Sequence, residues 1–382
     1  MKARFTLDGS DALEADLEKL CRNVLSGLQS LIPARELEAL VLGGGYGRGQ
    51  GGVFKTPAGD RPYNDLEFYV FLRGNVLLSE RKYRQRLHEL GEKLSPAAGL
   101  HVEFKVYSVE KLQRGSVSMF TYDLVAGHRT VFGSEEIFAG SRHHLAAEQI
   151  PLREATRLLF NRCSGLLLAK DILLNETLTA EQIDFIHRNL AKAQLAFGDA
   201  LLVEHGLYHW SCVERHHRLG KLAPSDDLPW LVEIRDLHAA GVQFKLHPHP
   251  TPSTKPELEK IHALVSALGL QLWLWLESRR LRSPFSSARD YALSPMNKCS
   301  ETSPWRNYLL NLKNFGSGMS LNPEARRYPR ERLFNALALL LWESATLDEP
   351  LLRERLQTLL RSDSTDWHTL VGSYKRIWEN FG

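Results

Sequence analysis

Three acidic residues fall on the polar sides of two segments whose apolar residues alternate. Asp65 and Glu67 belong to the segment 65–72, and Glu103 belongs to the segment 101–108. Alternation with a period of two predicts β-strands, in which every second side chain projects from the same face. The Asp65 and Glu67 carboxylates should therefore share one face. If the two strands are neighbours, the Glu103 carboxylate should lie about 5 Å from this pair, or somewhat farther on a diagonal.

Such a group of carboxylates is suited to binding divalent cations. Mg²⁺ and related ions prefer hard oxygen ligands. Two such ions, about 3.5 to 4 Å apart, lower the pKa of an attacking hydroxyl and stabilise a leaving pyrophosphate in nucleotidyl transfer. Taken alone, an Asp-x-Glu pattern on a strand is more typical of the solvated face of a half-covered sheet. The case for chemistry therefore depends on the residues that precede the pair.

A glycine-rich turn precedes the acidic pair, with the sequence Gly43-Gly44-Gly45-Tyr46-Gly47-Arg48-Gly49. It follows directly after the short apolar segment 37–42, which predicts a buried strand. Glycines let the backbone approach a triphosphate without a Cβ in the way, and successive backbone N–H groups can bind its oxygens. Arg48 could add a charge-assisted hydrogen bond to a phosphate. The turn and the carboxylates together predict a nucleotide site.

Three separated motifs occur in an order that is typical of one enzyme family. They are Leu42-Gly43-Gly44-Gly45-Tyr46-Gly47-Arg48-Gly49, then Asn64-Asp65-Leu66-Glu67-Phe68, then Val102-Glu103-Phe104. This combination resembles the signature of the DNA polymerase β-type nucleotidyltransferases, and the glycine string is similar to that of the uridylyltransferase that modifies the PII signalling protein. The resemblance covers roughly residues 36–135, and the later string 122–133 is similar to the end of many such domains.

The resemblance implies a role for each motif. Asp65 and Glu67 would bind two Mg²⁺ ions, with Mn²⁺ as an alternative, and Glu103 would bind the catalytic ion and help to deprotonate the acceptor. The implied nucleotide-binding residues of the turn are Gly44, Gly45, Tyr46, Gly47 and Arg48. The implied reaction moves a nucleoside monophosphate from an NTP to a hydroxyl of a small molecule or a protein and releases pyrophosphate.

The sequence also departs from the family pattern. The gap between Gly45 and Asp65 is longer than usual, so residues 51–63 are predicted to be an inserted loop. Gln50 stands where the PII-modifying enzymes carry Glu. The chain lacks the His-Asp phosphohydrolase motif that follows the transferase domain in those enzymes, so the removal of uridylyl groups from PII is not supported.

The predicted fold class is α/β followed by all-α. An N-terminal domain over 1–145 would have the nucleotidyltransferase fold, a mixed sheet with flanking helices, and a helical domain would cover 146–382 with a second division near 246–256. The main predicted elements are helices over 11–32, 79–93, 152–173, 180–205, 258–281, 330–344 and 351–361, and strands over 37–42, 65–72 and 101–108. The stretch 283–329 is predicted to be irregular.

Two residues of the helical half are weaker candidates. Lys192 lies on a predicted amphipathic helix and could reach a triphosphate across a cleft, although such lysines are more often ordinary solvated charges. Tyr208 could stack on a nucleobase, although core packing is the more common role of such a tyrosine.

Composition limits the remaining choices. The net charge of +3 on 382 residues is low for a dedicated duplex-binding protein, so a small molecule or protein acceptor is favoured over RNA. The four cysteines stand far apart, and no apolar run predicts a secretory signal or a membrane span, so a cytoplasmic location is expected. The alternatives are a nucleotide-binding regulatory or toxin–antitoxin module and a tRNA-modifying nucleotidyltransferase toxin. Neither the NTP nor the oligomeric state follows from the sequence.

Overall fold

The computed structural model describes residues 4–63, 65–249, 252–316 and 323–382. Asn64 of the second motif lies outside these residues, as do small parts of the predicted second division 246–256 and of the predicted irregular stretch 283–329. The chain divides into two compact units, which are Met1–Glu154 with Leu201–Thr251 (unit 1) and Ala155–Ala200 with Pro252–Gly382 (unit 2). The first division lies close to the predicted boundary at residue 145. Leu201–Thr251, predicted to belong to the helical domain, instead packs within unit 1.

The fold is mixed α/β, with a small sheet near the N-terminus and a helical C-terminal part. The elements up to the first division are α1 (Asp11–Leu31), β1 (Leu37–Leu42), α2 (Gly44–Gly47), β2 (Val53–Thr56), β3 (Gly59–Pro62), β4 (Leu66–Leu72), α3 (Val76–Ala98), β5 (Val102–Tyr107), α4 (Val109–Gln113), α5 (Met119–Ala126) and β6 (Arg129–Phe132). Those that follow are α6 (Leu152–Leu173), α7 (Ala180–Glu204), α8 (Cys212–Gly220), α9 (Leu231–Leu246), α10 (Lys255–Leu281), α11 (Ala288–Leu293), α12 (Pro304–Phe315), α13 (Pro329–Leu337), α14 (Pro350–Leu360) and α15 (Trp367–Phe381).

The main sheet of unit 1 has, within the described residues, four strands in the order β5-β4-β1-β6. β4 and β5 are parallel, whereas β1 runs antiparallel to both β4 and β6. One face packs against α1 and α3 through alternate residues such as Phe68 and Val70. The other face carries a second core that includes Tyr69 and Phe71, which are 2% and 0% exposed. The pattern of apolar alternation predicted that this side of β4 is polar, which is wrong in part, because α4 and α5 cover its far end.

Local signals explain where the elements of unit 1 begin and end. The Ser10 hydroxyl caps α1 by accepting a hydrogen bond from the Leu13 N–H, at 3.4 Å. The predicted inserted loop is a β2–β3 hairpin, in which Thr56 pairs with Gly59 across a two-residue turn that begins at Pro57.

The string 122–133 divides between two elements. Its first part lies in α5, because Ser118 and Thr121 form a capping box at the start of that helix. Only Arg129–Phe132 forms a strand.

Unit 2 is helical, and an aromatic cluster around Trp273 lies in its core. The Trp273 ring centroid lies 5.6 Å from that of Tyr291, 5.7 Å from that of Phe334 and 5.9 Å from that of Trp342. The prediction that residues 283–329 are irregular is wrong in part, because this stretch contains α11 and α12. Both helices are short and begin after serine N-caps, which a search for long apolar periodicity misses. No helix among the described residues is long and apolar enough to cross a membrane.

Candidate functional site

Two of the predicted carboxylates are direct neighbours across the parallel strand pair. Glu67 of β4 is the register partner of Glu103 of β5. Adjacent strands lie about 4.8 Å apart, so the two side chains start side by side on one face. Asp65 directly precedes β4 and is exposed, and the next residue, Leu66, donates its backbone N–H to the His101 carbonyl at 2.9 Å. The condition that the two strands be neighbours is met.

Each of the two glutamates has a partner two residues along its own strand. The Tyr69 hydroxyl donates a 2.7 Å hydrogen bond to Glu67 Oε2, and Lys105 Nζ lies 3.0 Å from Glu103 Oε2. Tyr69 and Lys105 are themselves register partners, with the ammonium 5.9 Å from the ring centroid. The sheet end therefore carries a compact polar group, the acidic face, made of Glu67, Tyr69, Glu103 and Lys105.

The electrostatics of the acidic face favour a protonated tyrosine and a charged lysine. Burial, together with the neighbouring Glu67 charge, raises the pKa of the Tyr69 hydroxyl well above its usual value. Burial alone would lower the pKa of Lys105, but the Glu67 charge and the bond to Glu103 raise it on balance. Lys105 thus supplies the positive charge that the two carboxylates need in this structure.

The glycine turn lies directly beside Glu67. The Gly43 N–H donates to the Glu67 carbonyl at 2.9 Å. A Cβ added to Gly43 would lie 2.4 Å from the Tyr69 ring, so only glycine fits here without a steric clash. Gly44 has a φ of +61°, and its missing Cβ would lie 3.5 Å from the Glu67 carboxyl carbon. These two glycines bring bare backbone to the acidic face.

The acidic face provides donors of the type that a divalent cation takes. Glu67 and Glu103 offer carboxylate oxygens, and the missing side chain of Gly44 leaves space beside one of them. Among the described residues, no three His, Cys, Asp or Glu side chains are grouped so that they could hold a metal ion. The structure therefore does not group Asp65 with Glu67 and Glu103, and cation binding by these carboxylates stays a prediction.

The remaining residues of the turn have structural partners. Tyr46 is buried, and its hydroxyl donates to the Gly52 carbonyl at 2.8 Å and accepts the Tyr63 N–H at 2.9 Å. Arg48 Nη1 lies 2.5 Å from Asp123 Oδ2 on α5. Burial lowers the pKa of Arg48, but the Asp123 charge and the neighbouring Tyr208 together raise it on balance. A phosphate contact by Arg48 would require this ion pair to open.

A polar network joins the turn to the segment that returns from unit 2. Tyr208, 2% exposed, donates to Asp123 at 3.3 Å and accepts from Arg215 at 3.0 Å. Its ring packs edge-on against Tyr122, with the ring centroids 5.7 Å apart, so Tyr208 packs in the core.

Gln50 makes a second link between the turn and the returning segment. Its amide donates to Ser211 Oγ at 2.5 Å and accepts the Cys212 N–H at 2.9 Å. The sequence offered no signal for these partners, because they lie 161 and 162 residues away along the chain.

Lys192 lies exposed on α7, in the part of that helix that belongs to unit 2. Its role at a nucleotide stays a prediction. Neither a scan against protein-family models nor a search of curated proteins found a match to this chain.

Proposed function

We propose that this chain has the nucleotidyltransferase fold in unit 1 and is an enzyme that transfers a nucleoside monophosphate from an NTP to a hydroxyl group. The observation that carries the proposal is the in-register pair of Glu67 and Glu103 beside the Gly43–Gly44 turn. A solvated sheet face has no need for two adjacent carboxylates next to bare backbone. The acceptor class that we favour is a small molecule or a protein.

The residues of the acidic face would bind the reactants from two sides. Backbone N–H groups at the start of α2 have no acceptor within the helix and can donate to phosphate oxygens. Glu67 and Glu103, joined by Asp65, would hold Mg²⁺ or Mn²⁺. Bound divalent ions would neutralise charge on the phosphate oxygens and favour ionisation of the attacking hydroxyl.

The reaction itself is a displacement at the α-phosphorus. The acceptor oxygen forms a bond to this phosphorus while the bond to the bridging oxygen of the β-phosphate breaks, and pyrophosphate leaves with the electron pair. Glu103, 44% exposed at its side chain, would accept the proton of the hydroxyl. Tyr69 keeps the Glu67 carboxylate oriented through its hydrogen bond.

Lys105 sets the charge balance of this arrangement. In the structure it compensates Glu103, so a divalent cation at this carboxylate would compete with it. Once displaced, the ammonium would remain within reach of phosphate oxygens, for which lysine is a common ligand.

The test is label transfer. The full chain is incubated with each α-³²P-labelled NTP, Mg²⁺ and a cell extract, and protein, RNA and small-molecule fractions are counted. We expect label in the protein or small-molecule fraction, and we expect Glu67→Gln to reduce it by at least about 100-fold, as for the loss of a group that stabilises transition-state charge. Glu92→Gln, an exposed position on α3, is the matched control and should leave the label unchanged.

Two outcomes would contradict the enzyme proposal. One is the absence of label in every fraction, and the other is label that Glu67→Gln leaves unchanged. Retained NTP binding without label would favour a nucleotide-binding module, whereas label in RNA would keep the chemistry and change the acceptor.

A further inference from the structure

A cavity lies within unit 1, where the edge strand β6 meets α1. Its volume is about 500 Å³, which is in the range of small-molecule sites. The charged residues that line it are four arginines, Arg4, Arg22, Arg48 and Arg129, and two glutamates, Glu18 and Glu135. Arg48 is paired with Asp123, Arg4 with Asp11 and Arg22 with Glu18, so the wall offers several guanidinium groups that an anion could reach by exchange with these carboxylates.

This cavity is separate from the acidic face. Arg129 is the register partner of Leu42, whose side chain packs in the core on the α1 side of the sheet. Phe5, beneath the Arg129 guanidinium, belongs to the same core. Glu67 shares its face of β4 with Tyr69, which packs in the core on the opposite side. A ligand in the cavity would therefore not contact the carboxylates of the proposed active site.

Arg129 is the central charge of the cavity. Its guanidinium carbon lies 3.7 Å from the centroid of the Phe5 ring, so the group is held flat against an apolar surface. Burial lowers the pKa of Arg129, because water is partly excluded from the charge. The neighbouring Cys21, Glu14 and Glu18 groups act in the opposite direction, and a bound phosphate would add to their effect.

A further arginine, Arg22, can turn towards an anion at little cost. Its side chain is 65% exposed and lies 3.6 Å from Glu18. An ion pair this exposed contributes about 0 to 1 kcal/mol, so Arg22 can exchange it for a phosphate oxygen. Arg4 is held more firmly, because it contacts Asp11 and Glu14 and also donates to the Gly9 carbonyl.

The rest of the wall suits a compact ligand with a flat part. Trp210 lines the cavity and offers an aromatic surface. Gly47 and Gly49 also line it, so the ligand would meet bare backbone of the same glycine turn that reaches Glu67 at its other end.

We propose that this cavity binds a small molecule that carries a phosphate group, with Arg129 and Arg22 as its principal ligands and Trp210 against its planar part. Guanidinium groups match phosphate oxygens in geometry and in charge. The cavity shares Gly47 and Arg48 with the glycine turn of the proposed nucleotide site but does not include Glu67 or Glu103.

The test is isothermal titration of the full chain with AMP, inorganic phosphate and adenosine. We expect AMP to bind more tightly than phosphate, and adenosine, which lacks the charge, to bind much more weakly. Arg129→Met keeps an apolar stem on Phe5 and should weaken AMP binding about tenfold or more, and Arg22→Met should weaken it several-fold. Arg84→Met, exposed on α3, is the matched control.

The outcomes separate this site from the acidic face. Glu67→Gln should bind AMP as the unmodified chain does, and a loss of affinity there would place AMP at the acidic face and overturn the proposal. Unchanged AMP binding in both Arg129→Met and Arg22→Met would also overturn it, as would the absence of AMP and phosphate binding at millimolar concentration. Arg22 is exposed, so its variant should fold even if Arg129→Met does not.

Discussion

Two carboxylates that start side by side on one sheet face repel each other unless donors or cations compensate them. Glu67 and Glu103 are compensated by Tyr69 and Lys105, which are the next residues along the same face. The acidic face is thus a self-consistent group of two acids, one cation and one neutral donor. Its reactivity would depend on exchanging the Lys105 ammonium for another cation without moving the strands.

A substitution at Gly44 tests what the bare backbone at this position contributes to the acidic face. Its φ of +61° costs a residue with a Cβ about 1 to 2 kcal/mol, so Gly44→Ala should lower the free energy of unfolding by that amount. Gly99→Ala is the matched control, because Gly99 has a φ of +68° with open space around its Cβ position. Both variants should lose similar stability in urea unfolding, but only Gly44→Ala should also reduce label transfer, because its Cβ lies beside Glu67. Equal transfer activity in the two variants would show that the turn does not serve the acidic face.

Packing between elements ties the glycine turn to helices that lie far along the sequence. Gln50 is 6% exposed and bonds to the N-terminus of α8 through Ser211 and Cys212. We expect Gln50→Ala to reduce the free energy of unfolding by about 1 to 3 kcal/mol, since it leaves the buried Cys212 N–H without its acceptor. Gln85→Ala, which removes an exposed amide that bonds to Glu89, is the control and should cost much less in the same urea titration. A loss no larger than that of the control would mean that the link to α8 does not stabilise unit 1.

The sequence predicted those elements whose periodicity is long and regular. α1, β1, α6 and α7 begin and end within a residue or so of their predicted bounds. Short elements were missed where a polar cap or a tight turn defines them, as in the β2–β3 hairpin and α11. The shared face of Glu67 and Glu103 was predictable, because it follows from strand alternation. The Arg48–Asp123 and Gln50–Ser211 contacts were not, because no local pattern links residues 75 and 161 positions apart.

At the scale of the whole molecule, the chain forms the first part of unit 1 and then the first part of unit 2. It then returns once to unit 1 and once to unit 2. The loss of strand signals near residue 150 predicted a boundary at residue 145, and the first passage lies between Glu154 and Ala155. The return of Leu201–Thr251 to unit 1 could not be predicted, since helical periodicity alone does not identify the partner of a helix face. Unit 2 also buries charge that no apolar pattern reveals, in a cluster of Glu277, Arg280, Lys298 and Glu331.

Lys298 makes the stability of the molecule depend on pH. It is fully buried, its ammonium lies over the Tyr291 ring at 4.6 Å, and burial lowers its pKa to about 8, against the raising effect of Glu331 and Glu277. In the unfolded chain the lysine pKa is near 10.4, so between pH 8 and this value the unfolded chain binds more protons than the folded chain. The free-energy cost of burying charged Lys298 is therefore complete below pH 8 and declines as the pH rises.

Replacing Lys298 by methionine should therefore stabilise the folded chain at neutral pH. We expect Lys298→Met to raise the free energy of unfolding at pH 7 by about 1 to 3 kcal/mol, and the advantage to shrink between pH 8 and pH 10. Urea unfolding followed by tryptophan fluorescence measures both, because Trp273 lies in the core of the same unit. Lys260→Met, at an exposed position of α10, is the matched control and should show neither effect. A variant that is less stable than the unmodified chain at pH 7 would mean that Lys298 holds the two buried glutamates in place.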